Sequence, residues 1–177
     1  MYETHNDLPL STRSQMVELL NARLADAIDH RTQLKVAHWN VKGAQFIALH
    51  ELFDEIAEDA DEYVDTLAER AVQLGGVADG TARQVAARSS LDEYSATGGG
   101  QEHVHAVADA LATFGRAVRE GIDTAAAAND QDTSDVFTEI SRGTDKWLWM
   151  VEAHLQEEER EHRSAPHGDE AARPPGH

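Results

Sequence analysis

The spacing of apolar side chains constrains the fold of this chain more than any other feature. They recur at helical steps in four long segments, whereas the two-residue alternation of a half-buried strand is not found over any useful length. In the first segment the pattern consists of Val17, Leu20, Leu24, Ile28 and Leu34. The sequence therefore predicts an all-α protein.

Breaks in the pattern set the bounds of the predicted helices. The first helix begins near Ser11 or Ser14, either of which can cap it, and ends at Gly43. The other three helices cover about 46–74, 101–128 and 132–161. Residues 77–100 form a long connection with room for a short helix around 81–88.

Two short connections and one long connection predict the topology. Four long helices joined in this way are typical of the ferritin-like four-helix bundle, in which a long crossover links helices 2 and 3. We divide the chain into a short N-terminal extension over 1–10, the bundle over 11–161 and a tail over 162–177. The tail is polar and holds three of the four prolines, so we expect it to be disordered.

Composition limits the class of protein. With 177 residues, 41% of them hydrophobic, the chain can bury the core of one domain, and it lacks an apolar run of about 18 residues. It has no cysteine and no secretion signal at its start, so we expect a cytoplasmic protein without a membrane span. The net charge of −18 disfavours nucleic acid and favours cations, although a plain solvated surface explains the same charge.

One face of the second helix carries a histidine and three carboxylates. At about 100° per residue, His50, Asp54, Asp65 and Glu69 fall within an arc of about 100°. Because this arc is displaced from the apolar stripe, these side chains are expected to flank the bundle and point out of the subunit. Asp54 and Asp65 lie about 16 Å apart along the helix, whereas metal–ligand bonds are about 2 Å long. One helix therefore cannot close a metal site with both.

A second copy of the chain could complete such a site. An antiparallel copy related by a two-fold axis would bring Asp65 and Glu69 of one subunit opposite His50 and Asp54 of the other. A two-fold dimer would then hold two identical sites.

The candidate ligands also include His38, which continues the apolar face of the first helix. Two imidazoles with three carboxylates suit iron or another first-row divalent ion, and zinc or manganese would fit as well. A solvated acidic face and a core histidine explain the same residues, because Glu58 and Asp61 share the face. From the residues alone, both interpretations stay open.

The stretches AHWNVKG, LHELFDEI and LAERAVQLGG give the chain a recognisable motif. It resembles the Dps family, the DNA-binding proteins from starved cells, which are miniature ferritins. The likeness is close over 36–80 and extends over about 11–156. The residues that match all five ferroxidase positions of the family are His38, His50, Asp54, Asp65 and Glu69.

The resemblance implies an enzyme, a ferroxidase. Dps proteins are dodecameric shells whose intersubunit sites oxidise Fe(II), with hydrogen peroxide usually preferred over dioxygen, and store the ferric mineral inside. The family pattern assigns His38, His50 and Asp54 to one subunit and Asp65 and Glu69 to its two-fold mate. The expected function is iron oxidation and storage that protects DNA and the cell from oxidative damage.

Two further features follow from the same resemblance. Trp39 matches a tryptophan beside the site that is thought to trap oxidising equivalents, and packing against a helix end is the alternative role. The acidic residues Asp130, Asp132 and Asp135 match a three-fold pore through which ions enter. Capping of the last helix is the alternative for them, and the two roles are compatible.

DNA binding is the alternative function. Family members that bind DNA commonly use a lysine-rich flexible tail, but the first fifteen residues hold Arg13 against Glu3 and Asp7. In the C-terminal tail, arginines are balanced by carboxylates, and protonating its histidines below about pH 6 would make it cationic. We therefore do not expect DNA binding at neutral pH, and nucleoid compaction through this tail is the runner-up. A structural shell with a degenerate site is a third interpretation, which the complete set of five residues disfavours.

Overall fold

The computed structural model describes residues 1–164 of the chain, and their side chains as far as residue 156. No strand occurs among these residues. The five helices are α1 (Leu10–Asn40), α2 (Phe46–Gln73), α3 (Ala82–Arg88), α4 (Gly100–Ala127) and α5 (Gln131–Ser164). The predicted disordered tail lies outside the described residues except for 162–164, which continue α5.

The helices form the predicted bundle. α1 packs along α2 and α4 packs along α5, and the two pairs meet mainly where α1 contacts α4 and α2 contacts α5. The crossover from α2 to α4 contains α3, which packs on α1. Thr81 caps α3 in a capping box with Gln84, so the short helix predicted in the crossover is confirmed. The all-α, one-crossover, ferritin-like four-helix bundle is confirmed as a whole.

The start of α1 differs from the prediction. α1 begins directly after Pro9, and no side chain caps it. The N–H of Arg13 donates to the carbonyl of Pro9 over 3.0 Å, so helical hydrogen bonding begins before either predicted capping serine. Ser11 and Ser14 lie inside the helix, and their assignment as caps is wrong.

The bundle core consists of two clusters of buried side chains. One surrounds the α1–α2 connection and includes Leu34, Leu49, Phe53, Val104 and Trp147. The other lies at the opposite end of α1 and α2 and includes Leu20, Leu67, Phe114 and Phe137. Burial of one such side chain stabilises the fold by about 2 kcal/mol, so the helices are held by packing along their whole length.

Side chains of α1 fasten the crossover to the bundle. Asp26 accepts a hydrogen bond from the backbone N–H of Ser90 (2.7 Å), and Gln33 donates to the carbonyl of Asp92 (2.9 Å). These bonds satisfy backbone groups in a segment that has no strand or helix to pair them. They bring Tyr94 to the first turn of α4, where its hydroxyl contacts a histidine.

Candidate metal centre

The turn between α1 and α2 brings two histidines face to face. His38 lies in the last turn of α1 and His50 lies near the start of α2. Nδ1 of His38 bonds the carbonyl of His50, and Nδ1 of His50 bonds the carbonyl of His38, each over 2.8 Å. The two rings stack with their centroids 3.7 Å apart. Gly43 makes the turn possible, because its φ of 113° is a conformation that side chains rarely adopt.

The two reciprocal bonds decide which ring nitrogens are available for a metal. A carbonyl oxygen can only accept, so each Nδ1 donates and carries the hydrogen. In the neutral ring, Nε2 then keeps its lone pair. Metal-ligating histidines usually have one ring N–H fixed in this way by a carbonyl or carboxylate, so the neutral rings of His38 and His50 hold the tautomer that can bind a metal through Nε2.

Asp54 follows His50 by one turn of α2. Its Oδ1 lies 3.9 Å from Nδ1 of His38, and the ammonium group of Lys35 donates a hydrogen bond to it. This hydrogen bond is the main cause that holds the pKa of the Asp54 carboxyl below its ordinary value. Asp54 is therefore an ionised carboxylate that is paired with a lysine.

Asp65 and Glu69 lie further along α2, and both are exposed. Within the described part of the chain, no three histidine or carboxylate side chains come together closely enough to hold a metal ion. His38, His50 and Asp54 lie near the start of α2 but do not by themselves form a metal-binding set. Asp65 and Glu69 lie further along the helix. The assignment of all five as metal ligands stays a prediction.

Exposed apolar side chains flank the histidine pair in the sequence. Trp39 is 67% exposed and Ile47 is 61% exposed, while the ring of Phe46 lies 5.0 Å from the ring of His50. An isolated exposed apolar side chain is ordinary, but three lie beside the two histidines in the sequence, and we call Trp39, Phe46 and Ile47 the apolar patch. Trp39 does not pack into the bundle of its own subunit.

Comparisons with known proteins give the family. A family model described as "Ferritin-like domain" matches residues 17–161. The chain is 41% identical over 157 residues to the "DNA protection during starvation protein" of Agrobacterium fabrum, covering 88% of this chain and 97% of that protein. The chain belongs to the Dps family of ferritin-like proteins.

Other Dps proteins have the same fold. The protein of that name from Brevibacillus brevis is 34% identical over 148 residues, covering 82% of this chain and 98% of that protein. The structure of Mycobacterium smegmatis Dps matches with a TM-score of 0.84 at 29% identity, covering 88% of this chain and 94% of that chain. Dps from Vibrio cholerae O1, described as a member of a superfamily of ferritin-like diiron-carboxylate proteins, has a TM-score of 0.82 at 24% identity, with coverage of 88% and 98%.

The acidic residues at the start of α5 in this Dps-family chain differ in burial. Asp130 is buried, accepts from Arg70 Nη2 over 2.8 Å, and accepts from the backbone N–H of Thr133 over 3.0 Å, so it caps α5. Asp132 is 86% exposed and Asp135 is exposed as well. Capping therefore accounts for Asp130. The pore stays a prediction, and Asp132 and Asp135 are its accessible members.

Lys35 is the residue near the site that the sequence analysis missed. It precedes His38 by three residues, so one helical turn places both side chains on the same face of α1. That spacing could have placed Lys35 near the site. The partner could not be read from spacing, because Asp54 belongs to another helix.

No helix in the described part of the chain is long and apolar enough to cross a membrane.

Proposed function

We propose that this Dps-family chain forms an iron-oxidising, iron-storing shell that protects DNA and the cell from oxidative damage. The observation that carries the proposal is the reciprocal pair of bonds between His38 and His50. The pair fixes both Nδ1–H groups on carbonyls, which leaves Nε2 of each neutral ring with its lone pair, and Oδ1 of Asp54 lies 3.9 Å from Nδ1 of His38.

The site is completed across a two-fold axis. His38, His50 and Asp54 come from one subunit, and Asp65 and Glu69 come from its mate. Three features of the subunit support this. The two carboxylates are exposed, the spacing along α2 is too long for one subunit to close the site, and the apolar patch of Trp39, Phe46 and Ile47 would be covered by a second copy. Together with a second kind of contact around three-fold axes, such two-fold contacts would build the closed dodecamer that the family resemblance implies.

Iron is the substrate of this site. Imidazole nitrogens and carboxylate oxygens suit Fe(II) and Fe(III), and the chain has no thiolate that the reaction would oxidise. Two Fe(II) ions give up one electron each to one molecule of hydrogen peroxide, which takes up two protons and leaves as two molecules of water. Consuming both reactants together prevents the one-electron reduction of peroxide that releases hydroxyl radical. Dioxygen is the alternative oxidant.

Lys35 has a defined part in this reaction. Its ammonium group holds Asp54 ionised in the metal-free subunit and must move away when the carboxylate binds a cation. Fe(II) would reach the shell interior past Asp132 and Asp135, which face solvent at the start of α5. Trp39 lies next to His38 in sequence and would take up oxidising equivalents that escape the site.

The test follows Fe(II) oxidation by absorbance after anaerobic addition of peroxide, with the assembled mass of the same sample measured in parallel. Fast peroxide-dependent oxidation by an assembly of dodecameric mass supports the proposal. The His38→Gly/His50→Gly variant should assemble and lose fast oxidation, whereas His105→Gly, which removes an exposed histidine of α4, should retain it. A shell that oxidises no Fe(II) would refute the ferroxidase assignment, and zinc, manganese and DNA binding would then be tested.

DNA binding through the C-terminal tail is the competing function. The tail beyond residue 164 lies outside the described residues, and the net charge of −18 opposes binding to a polyanion at neutral pH. A salt-sensitive gel shift at physiological pH would overturn the preference for iron chemistry alone.

A further inference from the structure

A partly buried hydrogen bond joins the crossover to α4. The hydroxyl of Tyr94, at the end of the crossover, lies 2.6 Å from Nδ1 of His103 in the first turn of α4. The His103 side chain has no exposed surface, and its Nε2 is buried without a hydrogen-bond partner. The two rings lie nearly parallel, with an interplanar angle of 15°.

The acid–base chemistry of the two groups fixes the direction of this bond. Phenol is the stronger acid of the two possible donors, and the imidazole nitrogen is the stronger base of the two possible acceptors. Tyr94 therefore donates its O–H to Nδ1 of His103. Burial lowers the pKa of His103 and raises the pKa of Tyr94, so both groups are neutral at physiological pH and Nδ1 is free to accept a proton.

The pair lies in the same part of the core as the candidate metal centre. Val104, which follows His103, belongs to one cluster of buried side chains with Leu49, which precedes His50, and Tyr94 packs against this cluster. Gly100, at the start of α4, lies against Leu49. Contiguous buried side chains therefore connect the Tyr94–His103 pair to the α1–α2 turn.

Tyr94 is also accessible from outside. It lines a surface cavity of about 250 Å³ together with Gln33 and Asp109. Tyr94 is thus within reach of a small diffusible oxidant, while its hydroxyl hydrogen is directed at a buried base.

We infer that Tyr94 and His103 form a reversible trap for one-electron oxidants, in which the tyrosine supplies the electron and the histidine holds the proton. The oxidant is hydroxyl radical, which arises when peroxide takes only one electron from Fe(II), and in this respect the inference rests on the proposed function. Tyr94 gives one electron, which reduces hydroxyl radical to hydroxide. The phenolic proton moves to Nδ1 of His103, leaving a neutral tyrosyl radical opposite an imidazolium.

The trap is reset by the substrate of the shell. One Fe(II) gives an electron to the tyrosyl radical and becomes Fe(III), and the proton returns from His103 to the phenolate oxygen. Burial favours this return, because it lowers the pKa of His103 more than the neighbouring carboxylate of Glu102 raises it. Each cycle consumes one hydroxyl radical and one Fe(II) and regenerates both side chains.

The chain has three tyrosines, which makes the first test selective. The assembled, iron-free, full-length protein is oxidised by a ruthenium tris-bipyridine flash with persulfate, and tyrosyl radical is measured by electron paramagnetic resonance. Tyr2 and Tyr63 make no hydrogen bond to a histidine within the described residues. The signal should persist in the Tyr2→Phe/Tyr63→Phe double variant and should be much smaller in Tyr94→Phe, where exposed Tyr2 can still be oxidised. An unchanged signal in Tyr94→Phe, or its loss in the double variant, would overturn the inference.

A second test concerns the histidine. Replacing His103 by Gln keeps a polar acceptor but removes the base, so formation of the Tyr94 radical should slow by about 100-fold, the usual contribution of a positioned base. An unchanged rate in His103→Gln would mean that the bond only anchors the crossover. The His103→Leu variant, in which no acceptor remains, should show the same slow formation.

The third test uses iron and separates this inference from the proposed function. With Fe(II) and peroxide, spin-trapped hydroxyl radical should increase in Tyr94→Phe but not in Tyr63→Phe. If the shell oxidises no Fe(II), the proposed function is refuted, whereas a Tyr94 radical formed without iron still supports the Tyr94–His103 pair as an electron and proton donor–acceptor pair. If oxidation is fast but Tyr94→Phe releases no additional radical, the trap is refuted and the ferroxidase stands.

Discussion

Lys35 donates a hydrogen bond to Asp54, the carboxylate that the proposed iron site takes from the same subunit as its two histidines. The metal-free subunit thus places an ammonium group where a cation is to bind. Lys35 is 30% exposed and Asp54 is 40% exposed, so solvent weakens the pair and leaves it able to open.

Removing this ammonium group should strengthen metal binding. In Lys35→Met, Asp54 no longer has to give up its ammonium partner before it binds a metal ion. The affinity for a redox-inert divalent ion such as Zn²⁺ should therefore rise by about two- to fivefold, which corresponds to the free energy of a partly exposed ion pair. Isothermal titration calorimetry of the assembled protein measures this. Lys42→Met, which removes an exposed lysine from the α1–α2 turn, is the matched control and should change the affinity less. Weaker binding in Lys35→Met would show that the lysine assists the metal.

Subunit exchange should restore activity to two inactive variants. His38→Ala/His50→Ala lacks the imidazoles, and Asp65→Ala/Glu69→Ala lacks the mate's carboxylates, so each alone should lose fast Fe(II) oxidation. In an equal mixture that is unfolded and reassembled together, half of the dimers are mixed and each holds one intact site. Stopped-flow oxidation should then recover to about a quarter of the unmutated rate. No recovery in assembled mixtures would place all ligands within one subunit.

The buried imidazole of His30 should make the bundle sensitive to acid. Burial lowers the pKa of His30 to about 4, and its ring stacks on Phe114. The unfolded chain binds a proton near its ordinary pKa while the folded chain does not, so stability is lost as pH falls from about 6.5 to 4. The free energy of unfolding should fall by about 3 kcal/mol over this range because of His30.

Denaturation at fixed protein concentration and several pH values tests this sensitivity. His30→Gln should remove most of the loss, whereas the exposed His105→Gln should leave it in place. Equal pH profiles for the two variants would show that another group controls the acid response.

Replacing the three carboxylates at the start of α5 should have two different effects, one on stability and one on iron uptake. Asp130 and Arg70 form a buried ion pair, so Asp130→Ala removes a charge partner and a helix cap and should destabilise the fold by about 3 kcal/mol. The Asp132→Asn/Asp135→Asn variant changes exposed side chains and removes only a distant ion pair of Asp132 with Arg70 (3.9 Å), so it should lose less than about 1 kcal/mol of stability. If these residues line the pore, the variant should take up iron more slowly than the unmutated protein. Normal uptake at saturating Fe(II) and at low Fe(II) would exclude that role.

Local rules predicted most of the fold. Helical periodicity placed four helices within a few residues, and the glycines at 43 and 75 mark real turns, because both have positive φ. The first helix started earlier than predicted, since the carbonyl of Pro9 accepts the first helical hydrogen bond and no serine is needed. Capping propensity describes the preference of one residue type. It cannot show which neighbouring group forms hydrogen bonds with the backbone at the end of a helix.

The sequence by itself determined the helices, the crossover with its short helix, and the family to which the chain belongs. These follow from periodicity, breaker residues and motif spacing, all of which act over a few neighbouring positions. Only the tertiary structure decided that Lys35 pairs with Asp54, that Asp130 is buried against Arg70 and that Tyr94 meets His103. Each of these contacts joins different elements of the chain, and its partner depends on how the helices pack, which no local pattern records.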